Sequence, residues 1–371
     1  MSDLIIVHPR FDAIWPWAAD HFQQLWCRQG TPAFVRLADE DPATLAAGWQ
    51  QAGAPTDVER LICLGVTASR ADLQPLEALR EAVFGEGDCD EEAQQLLATR
   101  NVIVYRQRSE GFWGQSVSEV GLALTLDALR RIPQLHRQII DSQDPWDYSP
   151  PEGHGRPRAR GQQYCDDDRF TSGTLAGKRV RVVGAGNIGS RYASFAHALG
   201  ADVAVWDPFA AEPAFHRAGA RREQHLESLV VEAEIFAPML PLTDSTRGLV
   251  AARYIDALPT GCLVVTVTRA AICDTQALRR RVLADELALA ADVFDVEPLP
   301  LDDPLVGRHN VVHTPHIAGR TADANRSWAE ALAGQFLPRA AGLGTLSPAA
   351  SPTQEEPDEQ HSGCRLRPGP S

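Results

Sequence analysis

The sequence predicts an α/β protein made of two parallel-sheet domains with a cleft between them. Three observations carry this expectation. Short apolar runs alternate with helix-length segments, the alternation occurs twice, and several chemically capable side chains sit just past the ends of apolar runs. Continuous apolar strands separated by helices indicate a parallel sheet covered on both faces. At 371 residues the chain has room for two domains, taking about 150 residues for each.

In the first half, strands are expected at 4–9 (LIIVHP), 33–37, 60–66, 81–85 and 101–106. Helical segments rich in Ala, Leu, Glu and Gln lie at 41–53 and 90–99. Residues 116–140 form one long helical pattern, broken near Pro133. That pattern is apolar nearly all round from Val120 to Leu129, so it is expected to be buried between layers or subunits. The polar stretch 142–173, rich in Pro, Gly and charge, reads as a long loop or arm. The second alternation runs from KRVRVVGAGNIG to NVVHTPHIAG, and 321–341 is a last helical pattern. From Thr345 onward, Pro, Ser and Glu dominate, with too few apolar side chains to order the segment.

Composition narrows the function classes. Hydrophobic residues make up 44% and charged residues 23%, as in soluble globular proteins. A net charge of −14 argues against a nucleic-acid partner, because phosphate backbones need a basic surface. The seven cysteines (Cys27, Cys63, Cys89, Cys165, Cys262, Cys273 and Cys364) show no CxxC spacing and are odd in number. Free thiols in a reducing cytosol fit this better than a disulfide framework or a zinc site, so no metal is expected. The N-terminal MSDLIIVHPRFD lacks a basic leader and reads as a first strand rather than a signal peptide. No apolar run approaches the roughly 20 residues that span a bilayer.

The stretch RVRVVGAGNIGSRYASFAHALGADVAVWDPF places Gly184, Gly186 and Gly189 as GxGxxG between a strand and a helix. Gly184 allows a tight turn, Gly186 a close backbone approach to a pyrophosphate, and Gly189 close packing of helix on strand. An anion there meets the free N–H groups and positive dipole end of the helix. Asp207 closes the next strand, where a carboxylate accepts the ribose hydroxyls and repels a 2′-phosphate. NAD is therefore expected over NADP.

Arg269, Glu297 and His316 each follow an apolar strand pattern. They would gather at the carboxyl edge of the same sheet, where open α/β sheets bind ligands. At this point the chain resembles the NAD-dependent D-isomer-specific 2-hydroxyacid dehydrogenases, which include phosphoglycerate, glycerate and D-lactate dehydrogenases. The resemblance rests on the order GxGxxG, Asp207, PLTDSTRGL, Arg269, DVFDVEPLP and NVVHTPHIAG, and covers roughly 80–342.

The resemblance implies Rossmann-like and flavodoxin-like halves, with a discontinuous substrate domain (1–112 plus 317–344), an NAD domain (113–316) and a disordered tail (345–371). It implies an EC 1.1.1-type oxidoreductase in which Arg269 grips the substrate carboxylate, His316 is the proton donor and acceptor, and Glu297 pairs with it. Asn187 and Ile188 then match positions whose backbone meets the pyrophosphate. Thr243, Val267, Thr268, Asp292 and Gly319 match positions along the cofactor. The amides of Phe84 and Gly85 match a loop that holds the substrate carboxylate, as short runs of N–H groups can. The implied partners are a small 2-keto or 2-hydroxy acid and a second copy of the chain. The family often has Asn, Gly and His where this chain has Thr266, Ala270 and Met239, and REAV replaces the usual lead-in to the substrate loop. The same resemblance also spans phosphite dehydrogenases and NADH-sensing co-repressors of the C-terminal-binding-protein type. Glu297 sets the chain apart from formate dehydrogenases, which carry glutamine at that position.

Overall fold

The computed structural model describes residues 2–28, 30–85, 87–106, 111–147, 164 and 166–336. Most of the expected arm at 142–173 and all of the tail from 345 lie outside these residues.

The first half holds β1 (Ser2–Val7), α1 (Pro9–Asp12), α2 (Ala18–Cys27), β2 (Ala33–Arg36), α3 (Leu45–Gln51), β3 (Val58–Leu64), α4 (Arg70–Leu73), β4 (Glu81–Val83), α5 (Glu91–Thr99) and β5 (Ile103–Tyr105). All five strands are parallel, in the order β2-β1-β3-β4-β5. That is the flavodoxin-like order, whose reversal point lies between β1 and β3. The run LIIV explains why β1 is central. Leu4 and Ile6 enter one apolar cluster with Leu61 and Leu97, while Ile5 and Val7 enter another with Trp15 and Trp328. All four are fully buried, each worth about 1.5–3 kcal/mol.

The second half begins with α6 (Gly114–Arg130) and α7 (Ile132–Asp141). There follow β6 (Arg179–Val183), α8 (Asn187–Ala198), β7 (Asp202–Trp206), α9 (Glu212–Ala218), β8 (Arg221–Glu223), α10 (Leu226–Val231) and β9 (Ile235–Pro238). It closes with α11 (Ala252–Ala257), β10 (Leu263–Thr266), α12 (Thr275–Leu283), β11 (Ala288–Ala291) and β12 (Val311–His313). The sheet order is β12-β11-β10-β9-β6-β7-β8, again all parallel. Its core is the Rossmann order, with the reversal between β6 and β9. The last helix, α13 (Ala322–Phe336), returns to the first sheet, where Trp328, Ala329 and Leu332 join the Trp15 cluster.

The pattern 116–140, expected to break near Pro133, is two helices. Arg131 takes the left-handed conformation (φ 53°) between them. Pro133 cannot supply the N–H that a continuous helix needs, so the break falls just before it. α6 is buried against α8 and β10–β12 as expected. α7, by contrast, buries none of its residues and leaves Ile132, Ile139 and Ile140 exposed. No helix among the described residues is long and apolar enough to cross a membrane.

Candidate active site

The glycine turn occupies the reversal point of the second sheet. Gly184 has φ +101°, and a β-carbon there would press on the Met239 carbonyl and Leu240. A β-carbon at Gly189 would collide with the Gly184 carbonyl, so α8 can lie this close to β6 only without a side chain. Gly186 faces open space. It caps α8 with no side-chain hydrogen bond. A groove of about 530 Å³ opens here, lined by Gly186, Asn187, Ser190, Arg191 and Arg217. The turn thus has the bare, N–H-rich, cation-flanked form that a pyrophosphate requires, and the residues present fit a dinucleotide.

Asp207 stands beside the turn, at the end of β7. Its carboxylate accepts from Ala185 N (2.8 Å), Phe209 N (2.9 Å) and Ala210 N (3.0 Å). A carboxylate has about four lone-pair positions, so room remains for a hydroxyl donor. The Asn187 side chain donates to Gly111 O (3.0 Å), while Ser118 donates to Ile188 O (3.0 Å). Both bonds tie the glycine turn to the segment that enters from the first sheet. Thr243 lies exposed in a loop closed by its bonds to Ser245 and Thr246. Thr268 is buried and bonded to Pro238 O, and Val267 packs in the core.

Arg269, Glu297 and His316 come together just past β10, β11 and β12. His316 Nδ1 lies 2.7 Å from Glu297 Oε2, with both side chains partly exposed. Burial raises the Glu297 pKa. The His316 bond, the Phe294 amide, and the charges of His316 and Arg269 outweigh it, so the carboxyl stays below its ordinary range. Arg269 is exposed and braced by a bond from Nη1 to Thr268 O (2.7 Å).

His316 has φ +55°, a left-handed conformation that side chains other than glycine adopt at a cost of about 1–2 kcal/mol. Such strain persists where neighbouring contacts over-determine it. Asp292 supplies those contacts. Fully buried, it accepts from Thr314 Oγ1 (2.6 Å), Ile317 N (2.9 Å) and Ala318 N (3.0 Å). It therefore grips the loop on both sides of the histidine. Gly319 then passes beside the Trp113 ring, which a β-carbon there would touch.

In the first sheet, Phe84 is buried and Gly85 follows β4 at the carboxyl edge. Sequence reasoning missed the neighbours of Gly85. Asp88 folds back so that its carboxylate fills the space a Gly85 side chain would need, and Arg10 pairs with that carboxylate at 2.6 Å. Arg10 directly follows the first strand pattern, so the rule that singled out Arg269 would have found it. It also missed Thr314 as a partner of Asp292.

Residues 122–318 match the family described as "D-isomer specific 2-hydroxyacid dehydrogenase, NAD binding domain". The chain is 29% identical over 244 residues to the D-3-phosphoglycerate dehydrogenase of Archaeoglobus fulgidus, covering 66% of this chain and 42% of that one. It is 34% identical over 179 residues to the Bacillus subtilis enzyme of the same name, covering 48% and 34%. The chain thus spans well under half the length of these two relatives. Among solved structures, a phosphoglycerate oxidoreductase from Rhizobium etli has TM-score 0.64 at 18% identity, covering 90% of this chain and 93% of that one. D-mandelate dehydrogenase from Rhodotorula graminis has TM-score 0.60 at 20% identity, covering 91% and 94%. These structures share its two-sheet fold. With more than half its length in the matched domain, including the glycine turn and the loop up to His316, the chain belongs to the D-isomer specific 2-hydroxyacid dehydrogenase family and carries its NAD-binding domain.

Proposed function

We propose that this protein interconverts a 2-keto acid and its D-2-hydroxy acid. The observation that carries the reading is the His316–Glu297 bond, placed with Arg269 on the sheet edge that also holds the glycine turn. Bound NADH supplies the hydride. Arg269 offers a planar fork of donors to the substrate carboxylate and draws electron density from the adjacent carbonyl. Glu297 occupies Nδ1 of His316, so Nε2 is left to face the substrate. In reduction, protonated His316 gives the Nε2 proton to the carbonyl oxygen. In oxidation, neutral His316 takes the hydroxyl proton at the same atom. Glu297 orients the imidazole through this bond. The amides of Phe84 and Gly85 are assigned to the carboxylate from the opposite side. Asp207 is assigned to the ribose, and the backbone of Asn187 and Ile188 to the pyrophosphate. Thr243, Val267, Thr268, Asp292 and Gly319 are assigned to the rest of the cofactor path.

The same reading assigns 1–112 plus 317–344 to the substrate domain and 113–316 to the NAD domain, supported by the packing of Trp328, Ala329 and Leu332 in the Trp15 cluster. A homodimer is part of the same reading, supported by the exposed Ile132, Ile139 and Ile140 on α7. The five described cysteines are free thiols, which supports a cytoplasmic setting.

The test is NADH oxidation with a panel of 2-keto acids. Turnover with at least one, and a D-configured product, is the expected result. No turnover with any of them, or phosphite oxidation in their place, overturns the reading. Mass measurement in solution decides the dimer.

A further inference from the structure

Glu297 sits between β11 and β12, in a stretch that forms neither helix nor strand over 293–303. That stretch also carries Asp295, Asp302 and Asp303, and like charges this close repel one another. The Phe294 amide donates to Glu297 Oε1 at 2.8 Å, and His316 Nδ1 meets Oε2 at 2.7 Å. Both bonds need the loop itself to be fixed.

Arg279 reaches this loop from α12. Its Nη2 donates to Asp303 Oδ2 at 2.6 Å, and its Nη1 donates to Asp295 Oδ1 at 3.4 Å. One guanidinium thus holds the loop two residues before Glu297 and six after it. Asp303 carries the grip inward. Its Oδ1 accepts from Leu305 N at 2.9 Å, and Leu305 is buried in the core of the second sheet. Burial raises the Asp303 pKa, but the Leu305 amide and Arg279 outweigh it, so the carboxyl stays below its ordinary range.

Arg279 opens a run of three arginines, and the other two serve a different purpose. Arg280 pairs with Asp256, while Arg281 donates to Glu286 and to the carbonyls of Ile255 and Leu258. Both brace α12 against α11 and its ends. The side chains of Arg280 and Asp256 are 59% and 51% exposed, and those of Arg279 and Asp303 only 24% and 10%. An exposed pair contributes little, whereas breaking one mostly out of water leaves a charge uncompensated.

We propose that Arg279 is a positioning residue for the reaction, clamping the loop on both sides of Glu297 so that its carboxylate stays in line with Nδ1 of His316. This rests on the 2-keto acid reading above. Arg279 does for the Glu297 loop what Asp292 does for the His316 loop, with side chains in place of backbone amides.

The experiment is a double-mutant cycle on kcat, with the intact sites of each preparation counted by NADH titration. Arg279→Met should lower kcat by about 10- to 100-fold, the range for a displaced reacting group, with KM and NADH binding changed by less than about twofold. In a Glu297→Ala background the same substitution should cost less than about twofold more, because residues that act through one another do not add. Arg279→Met leaves Asp303 without its partner. The variant Arg279→Met/Asp303→Asn removes both charges, keeps an acceptor for Leu305 N and guards against a folding defect, and it should show the same fall. Arg280→Met should keep kcat within about twofold of native. Equal losses with and without Glu297, a loss in KM instead of kcat, native kcat in either Arg279 variant, or a matching loss in Arg280→Met would overturn the proposal and leave the 2-keto acid reading in place. No turnover of any 2-keto acid by the native enzyme would remove both.

Discussion

The two carboxyl edges of this molecule solve the same problem in different ways. The edge of the second sheet is built around backbone. Gly184 and Gly189 are glycines because a β-carbon would strike a carbonyl, Gly186 leaves open space, and the His316 loop is held by amides bonded to Asp292. The edge of the first sheet is built around side chains, with Arg10 and Asp88 joined across positions far apart in the chain. A backbone-built site fixes residue types at fixed spacings and so leaves a motif. A side-chain-built site needs only partners of the right charge, wherever the fold brings them together.

The sharpest contrast comes from His316→Ala. Turnover should fall by about 10²–10⁴-fold, the range for loss of a positioned acid–base group. The NADH dissociation constant should move little, because the glycine turn lies elsewhere on the edge. Rapid kinetics with a fluorescence titration of NADH would check this. A comparable loss of NADH binding would mean that the histidine loop and the turn are not separable.

Asp292→Ala tests whether the backbone clamp makes the site. Three donors would lose a buried acceptor, at about 1–3 kcal/mol for each orphaned group. A lowered melting temperature and a fall in kcat should appear together, since His316 loses the contacts that hold its left-handed backbone. A drop in melting temperature with kcat intact would show that Asp292 only stabilises the loop.

Gly189→Ala should weaken NADH binding and cost about 1–3 kcal/mol in stability, as overpacking does. The collision is with backbone and no flexible side chain can yield. Calorimetry and NADH titration would measure both effects.

The smallest expected effect is on pH dependence. Glu297 has its pKa lowered, so the pair should persist as pH falls to the ordinary carboxylate value of 4.5, and weaken only as pH drops through the lower folded value. Any stability from this half-exposed pair is present above that range and lost below it. Glu297→Gln removes this titrating carboxylate, so the acid-side loss should disappear from a pH series of melting temperatures. An unchanged acid side would mean that the 2.7 Å contact adds nothing to stability.

Much of the second half was legible in advance. VRVVGAGNIG followed by an amphipathic helix and WDPF specifies strand, turn and strand by local rules, and the structure places β6, α8 and β7 there. The five strands of the first half were also legible, since apolar runs such as LIIV are buried on both faces. The break near Pro133 in the pattern 116–140 was legible too, since proline lacks the N–H a continuous helix needs. That α7 beyond the break buries none of its residues was not, because periodicity records which face is apolar and not what covers it. Asp292 was singled out for the cofactor, and its three bonds to the His316 loop had no sequence signal, since their partners include two backbone amides.

By itself the sequence determined the two α/β halves, the glycine turn and the trio Arg269, Glu297 and His316. Each depends on residue type at short range or at the end of a strand. Only the tertiary structure decided that His316 is strained and clamped by Asp292, that Asn187 reaches Gly111, and that Arg10 meets Asp88 beneath Gly85. Those contacts join residues through space, where charge and shape must match but spacing along the chain is free.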